Sequence, residues 1–203
     1  MGSAPQLNPF PRPIGIFQHF FARQPETLVL KEKIKSLSGN SFDVRLFNGQ
    51  PILKVNGESL SLSGRTNVTD INGNFLFCIR KKHFTIHTIY YAENANGEEI
   101  FEVRSKFKLI GSKFIATFTS ASGQQEELVM KGDFTDTNAD ITDEASGQTV
   151  ATIYRDRWNA REFLADQQTY NVTVAPNVDM AIIVAMCICM DIKKDEDAAA
   201  AAA

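Results

Sequence analysis

Two patterns divide the chain. From Thr27 onward apolar and polar residues alternate with a period of two, whereas the run Met180-Ala181-Ile182-Ile183-Val184-Ala185-Met186-Cys187-Ile188-Cys189-Met190 has no polar side. Alternation of the first kind marks strands with one buried face. A run of the second kind, if helical, must be covered all round. It would rise only about 16 Å, roughly half a bilayer core, so a buried core helix is expected rather than a membrane span. The flanks agree: Asn177 after Pro176 is placed to cap the first turn, Asp179 meets the positive end of the helix dipole, and Lys193 and Lys194 meet the negative end. The pattern therefore predicts a helix over 177–194, with Met180, Ile182, Ile183, Val184, Met186, Ile188 and Met190 in the core. Several of these residues would also suit a strand; length and end charges decide for the helix.

Such a helix needs a container, and the alternating segments supply one. Leu28, Leu30 and Ile34 alternate with Lys31, Lys33 and Lys35, and Phe42, Val44 and Leu46 with Ser41, Asp43 and Arg45. Asn48-Gly49, Asn56-Gly57 and Asn72-Gly73 suit tight hairpins. Leu60 and Leu62 alternate with serines, Phe75, Phe77 and Ile79 follow, and then Phe84 to Ala92. Phe101, Val103, Phe107 and Leu109 oppose Glu102, Arg104, Lys106 and Lys108, and strands are expected over 113–119, 126–130, 138–142, 149–155 and 170–174. That is about twelve strands, enough for a closed antiparallel barrel wide enough to hold a helix. Their outward positions carry charge and serine rather than an apolar band, unlike an outer-membrane barrel. Residues 1–26, with five prolines and Ile14, Ile16, Phe17, Phe20 and Phe21, are expected to form an arm packed on a barrel domain of 27–194; a proline-rich ligand for another protein is the alternative. Residues 156–168 are expected as a long loop or a short helix, and 195–203 as a disordered tail.

Composition narrows the setting. With 203 residues and 43% hydrophobic content the chain can bury one core. A net charge of −3 argues against a nucleic-acid binder and leaves only local basic patches. Cys187 and Cys189 point in different directions on a helix and, with Cys78, are expected as buried free thiols. The N-terminus has no basic and apolar leader, and Gln6 stands where a myristoylation site wants Ser or Thr. The expected setting is cytoplasmic, peripheral at a membrane or nuclear, and the expected state a monomer.

Thr27-Leu28-Val29-Leu30-Lys31-Glu32-Lys33, the Phe101 to Lys113 strand pair with Gly111, and Val174-Ala175-Pro176-Asn177-Val178-Asp179 running into the apolar helix resemble the LURP-one-related family. That family belongs to the tubby C-terminal-like superfamily, which also includes phospholipid scramblases. The resemblance covers roughly residues 14–194 and implies a twelve-stranded barrel threaded by its C-terminal helix. It also implies a link to phosphoinositides, to lipid movement and calcium, and, through plant members, to pathogen response.

Candidate chemistry is sparse. His83 and His87 share one face of a predicted strand about 13 Å apart, too far for one metal. GxSxG, HExxH and phosphate-cradling glycine loops are missing from the sequence, so no enzyme and no cofactor are expected. Asp136, Asp140, Asp143 and Glu144 form a weak calcium candidate, since Ile141 and Gly147 stand where an EF-hand needs Gly and Glu. The feature that points furthest is basic: the stripes Lys31/Lys33/Lys35 and Arg104/Lys106/Lys108, with Arg80-Lys81-Lys82 at a turn. Cations at alternate strand positions face one way, and each contributes about 1 kcal/mol near an anionic membrane. An outward surface for phosphoinositide or other anionic lipid is expected, against the alternatives of a protein-interaction scaffold or a solvated barrel face.

Overall fold

The computed structural model of the chain describes residues 7–32, 41–58, 64–107, 112–132, 138–154 and 169–202. Twelve strands are formed: β1 (Glu26–Glu32), β2 (Phe42–Leu46), β3 (Pro51–Gly57), β4 (Thr66–Asp70), β5 (Phe75–Lys81), β6 (Thr88–Glu93), β7 (Glu99–Phe107), β8 (Ser112–Thr119), β9 (Gln125–Gly132), β10 (Asn138–Asp143), β11 (Thr149–Tyr154) and β12 (Thr169–Val174). Each pairs antiparallel with its sequence neighbours, and β1 closes on β12 with Leu28 opposite Val172, so the sheet is a closed barrel. Inward positions follow the alternation: Leu28 and Leu30, Phe42 and Val44, Leu53 and Val55, Phe77 and Ile79, Val103, Leu128 and Met130 are all buried.

The lumen is filled by α1 (Met180–Ala201), in which every residue from Met180 to Asp191 is buried. Covering an aliphatic side chain of this size contributes about 1.5–3 kcal/mol, which offsets the entropy of ordering a helix with no polar face. α1 starts and ends later than the expected 177–194. Its cap is Asp179, whose carboxylate accepts from the Ala181 N–H at 2.9 Å, while Asn177 has a φ of 70° and donates its Nδ2 to the Phe10 carbonyl at 2.8 Å. Residues 195–201, expected as a disordered tail, continue the helix: alanine has the highest helix propensity, and Lys193 pairs with Asp197 one turn on.

Three local expectations are also corrected. Asn56-Gly57 is not a turn; β3 runs through Gly57, which pairs with Thr66. The strand between β3 and β5 is Thr66–Asp70, and the alternation at Leu60 and Leu62 lies outside the described residues. β6 begins at Thr88, not Phe84, so His83 and His87 sit on a loop.

The two barrel ends differ. Tight turns lie at the end where α1 begins, and residues 7–25 cross that end as a plug: the N–H groups of Phe10, Ile14 and Ala22 donate to the carbonyls of Pro176, Asn177 and Val178 at 2.9–3.0 Å. Gly15 passes so close that a Cβ there would lie 2.1 Å from Asp179 Cβ, at a φ of +145°. Arg12 grips Glu126 from the turn end, with Nη2 to Oε2 at 2.8 Å. α1 runs to the opposite rim, where β5, β7 and β9 end and β6, β8 and β10 begin.

Candidate functional site

Closure of the barrel decides which of the predicted cations can act together. β1 and β7 stand six places apart in the ring of twelve strands, on opposite walls. At a strand spacing of about 4.8 Å and a tilt of about 40° the walls are about 24 Å apart. Lys31 is exposed on β1 opposite Asp43 of β2 and cannot share a flat surface with the β7 stripe. Lys33, Lys35 and Lys108 lie outside the described residues.

Arg80, Lys81 and Lys82 diverge. Arg80 is on the outer face, bonded to Glu93 at 3.1 Å and 5.9 Å from the Tyr91 ring centre; the Glu93 hydrogen bond holds its guanidinium above the ordinary range. Lys81 shares the inward parity of Phe77 and Ile79 and reaches Glu196 of α1 at 2.7 Å at the rim opposite the plug. Tyr90 donates to the same Glu196 oxygen at 3.1 Å, and burial together with that carboxylate pushes its phenol upward. Lys82 bonds Glu99 and Glu102, each at 2.9 Å. Burial opposes its charge, yet the two carboxylates prevail and raise its pKa. Glu102 is the mirror case: burial favours its neutral form, but Lys82 and Arg104, the latter at 3.0 Å, hold it below the usual carboxylate range. Lys82 and Arg104 with Glu99 and Glu102 thus form an internally neutralised cluster on the outer wall.

A row of lysines also runs across strands on this wall. Lys106 of β7 pairs with Lys113 of β8, Lys113 pairs with Lys131 of β9, and Lys131 in turn stands opposite Asp140 of β10, so three lysines stand at successive strand spacings toward the rim opposite the plug. Lys106 and Lys131 are exposed; the Lys113 side chain is 17% exposed and lies 3.8 Å from Glu144. Like charges directly opposite across a ladder disfavour the fold, and Glu144 beside Lys113 and Asp140 opposite Lys131 offset part of that repulsion. Lys113 and Lys131 were not singled out from the alternation, although the Phe101 to Thr119 hairpin register would have placed Lys113 beside Lys106.

The calcium candidates are not brought together. Asp140 is on the outer face and accepts from Thr152 Oγ1 at 2.8 Å. Asp143 is buried at the turn end and accepts from the Ser146 N–H at 2.8 Å, and Glu144 faces Lys113. Asp136 lies outside the described residues, and among those described no three His, Cys, Asp or Glu side chains converge for a metal. The helix residues named from the sequence, Met180 to Met190, are all structural. Among the described residues no helix is long and apolar enough to cross a membrane. A cleft of about 600 Å³ beside the plug is lined by Arg12, Pro13, Gln18, Phe21 and Gln124, and its one charged group is already held by Glu126.

Comparison with known proteins follows this geometry. A family model described as LURP-one-related matches residues 26–191, from the start of β1 to the last buried turn of α1. The Arabidopsis thaliana protein LURP-one-related 10 is 23% identical over 186 residues, covering 88% of this chain and 95% of that protein. LURP-one-related 15 from the same plant is 23% identical over 207 aligned positions, covering 98% and 95%. An X-ray structure of an A. thaliana protein matches 89% of this chain and 98% of its own at 16% identity, with a TM-score of 0.42.

Proposed function

The chain belongs to the LURP-one-related family, and from that premise we propose that it works by binding rather than catalysis, docking the barrel rim opposite the plug on anionic membrane lipid, phosphoinositide included. The observation that carries the reading is the row Lys106, Lys113 and Lys131. It places the exposed Lys106 and Lys131 on one wall of a chain whose net charge is −3, on either side of Lys113, which faces Glu144, and beside Lys82 and Arg104, which are paired with carboxylates. The filled lumen supports the same conclusion: with α1 buried through Asp191, ligand recognition falls to the outer surface. The reading places the protein at the cytoplasmic face of a membrane and carries with it the stress or defence role implied by the resemblance to plant members.

Sedimentation with phosphatidylcholine vesicles, alone or containing phosphatidylserine or phosphatidylinositol 4,5-bisphosphate, tests it. Binding is expected only to the anionic vesicles and is expected to weaken steeply with salt. Replacing Lys106 and Lys131 by Gln removes about 2 kcal/mol, or about thirtyfold in affinity. Unchanged anionic binding in that double variant would remove the row as the site, and failure of the wild type to bind any vesicle would leave the protein-scaffold alternative.

A further inference from the structure

The β5–β6 connection carries a feature that the lysine row does not explain. Phe84 and Ile86 are 108% and 99% exposed, whereas nearly every other large apolar side chain among the described residues is covered. The other exposed ones, Phe47, Ile71 and Phe75, belong to the turn end and are 75%, 43% and 41% exposed. Phe84 also adopts a φ of 61°, in the left-handed region that a bulky side chain enters only at a cost. Two unfavourable choices coincide at one residue. The tip is held by short local bonds, Thr85 Oγ1 donating to the His87 carbonyl at 2.6 Å and the Lys82 N–H to the Ile89 carbonyl at 2.8 Å. The segment therefore presents its apolar pair on a fixed projection.

We propose that Phe84 and Ile86 are an apolar anchor that enters the acyl boundary of the same anionic bilayer on which the lysine row docks; the inference rests on that reading. Position supports it. The tip lies at the rim opposite the plug, and Thr88 at its base pairs with Ser105, one residue before Lys106. Lys82 forms the other base. A membrane approaching along the barrel axis meets the apolar tip and the cations together. The tip's exposure and surroundings choose the bilayer over a protein groove: both apolar side chains stand fully in solvent, and the residues between and beside them, His83, Thr85 and His87, are exposed and polar rather than continuing an apolar patch. Apolar crowns flanked by cations suit an interface in which the crown is immersed and the charges stay among headgroups.

The experiment separates this proposal from the reading beneath it. Phe84→Ser/Ile86→Ser and Lys106→Gln/Lys131→Gln are compared with wild type on phosphatidylcholine vesicles with and without phosphatidylserine across a salt series. A third variant, Ile86→Cys, takes an environment-sensitive fluorophore selectively because Cys78, Cys187 and Cys189 are buried. The tip variant is expected to bind on the order of tenfold more weakly with an unchanged salt slope, and the label at position 86 to shift to the blue and to be quenched by brominated acyl chains. Wild-type affinity in the tip variant, with a label that stays in water while the lysine variant loses binding, would overturn the anchor and leave the charged surface intact. Tip-dependent binding that ignores salt and lipid charge would sustain the anchor and overturn the charged surface.

Discussion

Replacing Asp179 by Ala tests the joint between the plug and the helix. The Asp179 carboxylate is fully buried and accepts the N–H groups of Ile16 at 2.9 Å, Phe17 at 2.7 Å and Ala181 at 2.9 Å. Loss of the helix cap costs about 1 kcal/mol. Leaving two plug N–H groups without their acceptor costs about 1–3 kcal/mol each. Burial, however, works against the charged form and lifts the pKa to about 6 even though the N–H groups pull it down. The folded state therefore holds a proton that the unfolded chain has released between about pH 4 and pH 6. A raised acid pKa stabilises fully below the unfolded value, and that contribution is lost as pH climbs through the folded one. The variant's deficit should be about 3–7 kcal/mol near pH 4 and smaller by up to about 3 kcal/mol at pH 7. Denaturant unfolding of both proteins across pH 4–8 measures it, the difference cancelling every other titrating group. Asp179→Asn, which keeps an acceptor oxygen, should show most of the stability and none of this pH dependence. A deficit that grows with pH would refute the reasoning, because it would mean that the three N–H groups outweigh burial and that the anion is the favoured form.

Other consequences follow from the same packing. Gly15→Ala forces a Cβ into Asp179 at 2.1 Å, with backbone at φ +145°, and is expected to lower stability by about 2–4 kcal/mol in thermal or denaturant unfolding. Ile183→Ala and Ile188→Ala each leave a void in a fully buried stretch and are expected to cost about 2–5 kcal/mol without abolishing vesicle binding at 20 °C. Arg12→Ala leaves the Glu126 side chain, 2% exposed, without its guanidinium; a loss of about 1–3 kcal/mol and faster hydrogen exchange at Ile14 and Ala22 are expected, since the plug is released first.

Much of the architecture was readable because it depends on local periodicity. The apolar run from Met180 identified a helix covered on all sides, and the alternation from Thr27 identified strands in a number that matches the ring. Misreadings came where tertiary context outweighed local signals. Asn56-Gly57 has turn chemistry yet serves as strand, because β3 needs Gly57 opposite Thr66. Thr66 to Asp70 is mostly polar, and only its place between β3 and β5 buries Thr66 and Val68. Asp179 displaced Asn177 as the cap because the plug, more than 160 residues away in sequence, supplies two of the N–H groups that its carboxylate accepts. For the basic surface, alternation told which way Lys31 and Lys106 face relative to their own strands. It did not tell that β1 and β7 are opposite walls, or that Lys81 turns inward to Glu196 while Arg80 faces out. Azimuth around a barrel is a property of closure, not of any one strand.

The most direct measurement is the reaction of a small aromatic disulfide with the thiols of the native protein. Cys187 and Cys189 lie on α1 with no exposure, burial pushes both thiols upward, and Cys78 is 8% exposed. A helix sheathed by the barrel predicts that Cys187 and Cys189 react only at the rate of unfolding and that both become fully reactive in denaturant. Rapid labelling of either thiol in native buffer, with the circular dichroism unchanged, would contradict the filled lumen and reopen the interior as the place where this protein binds.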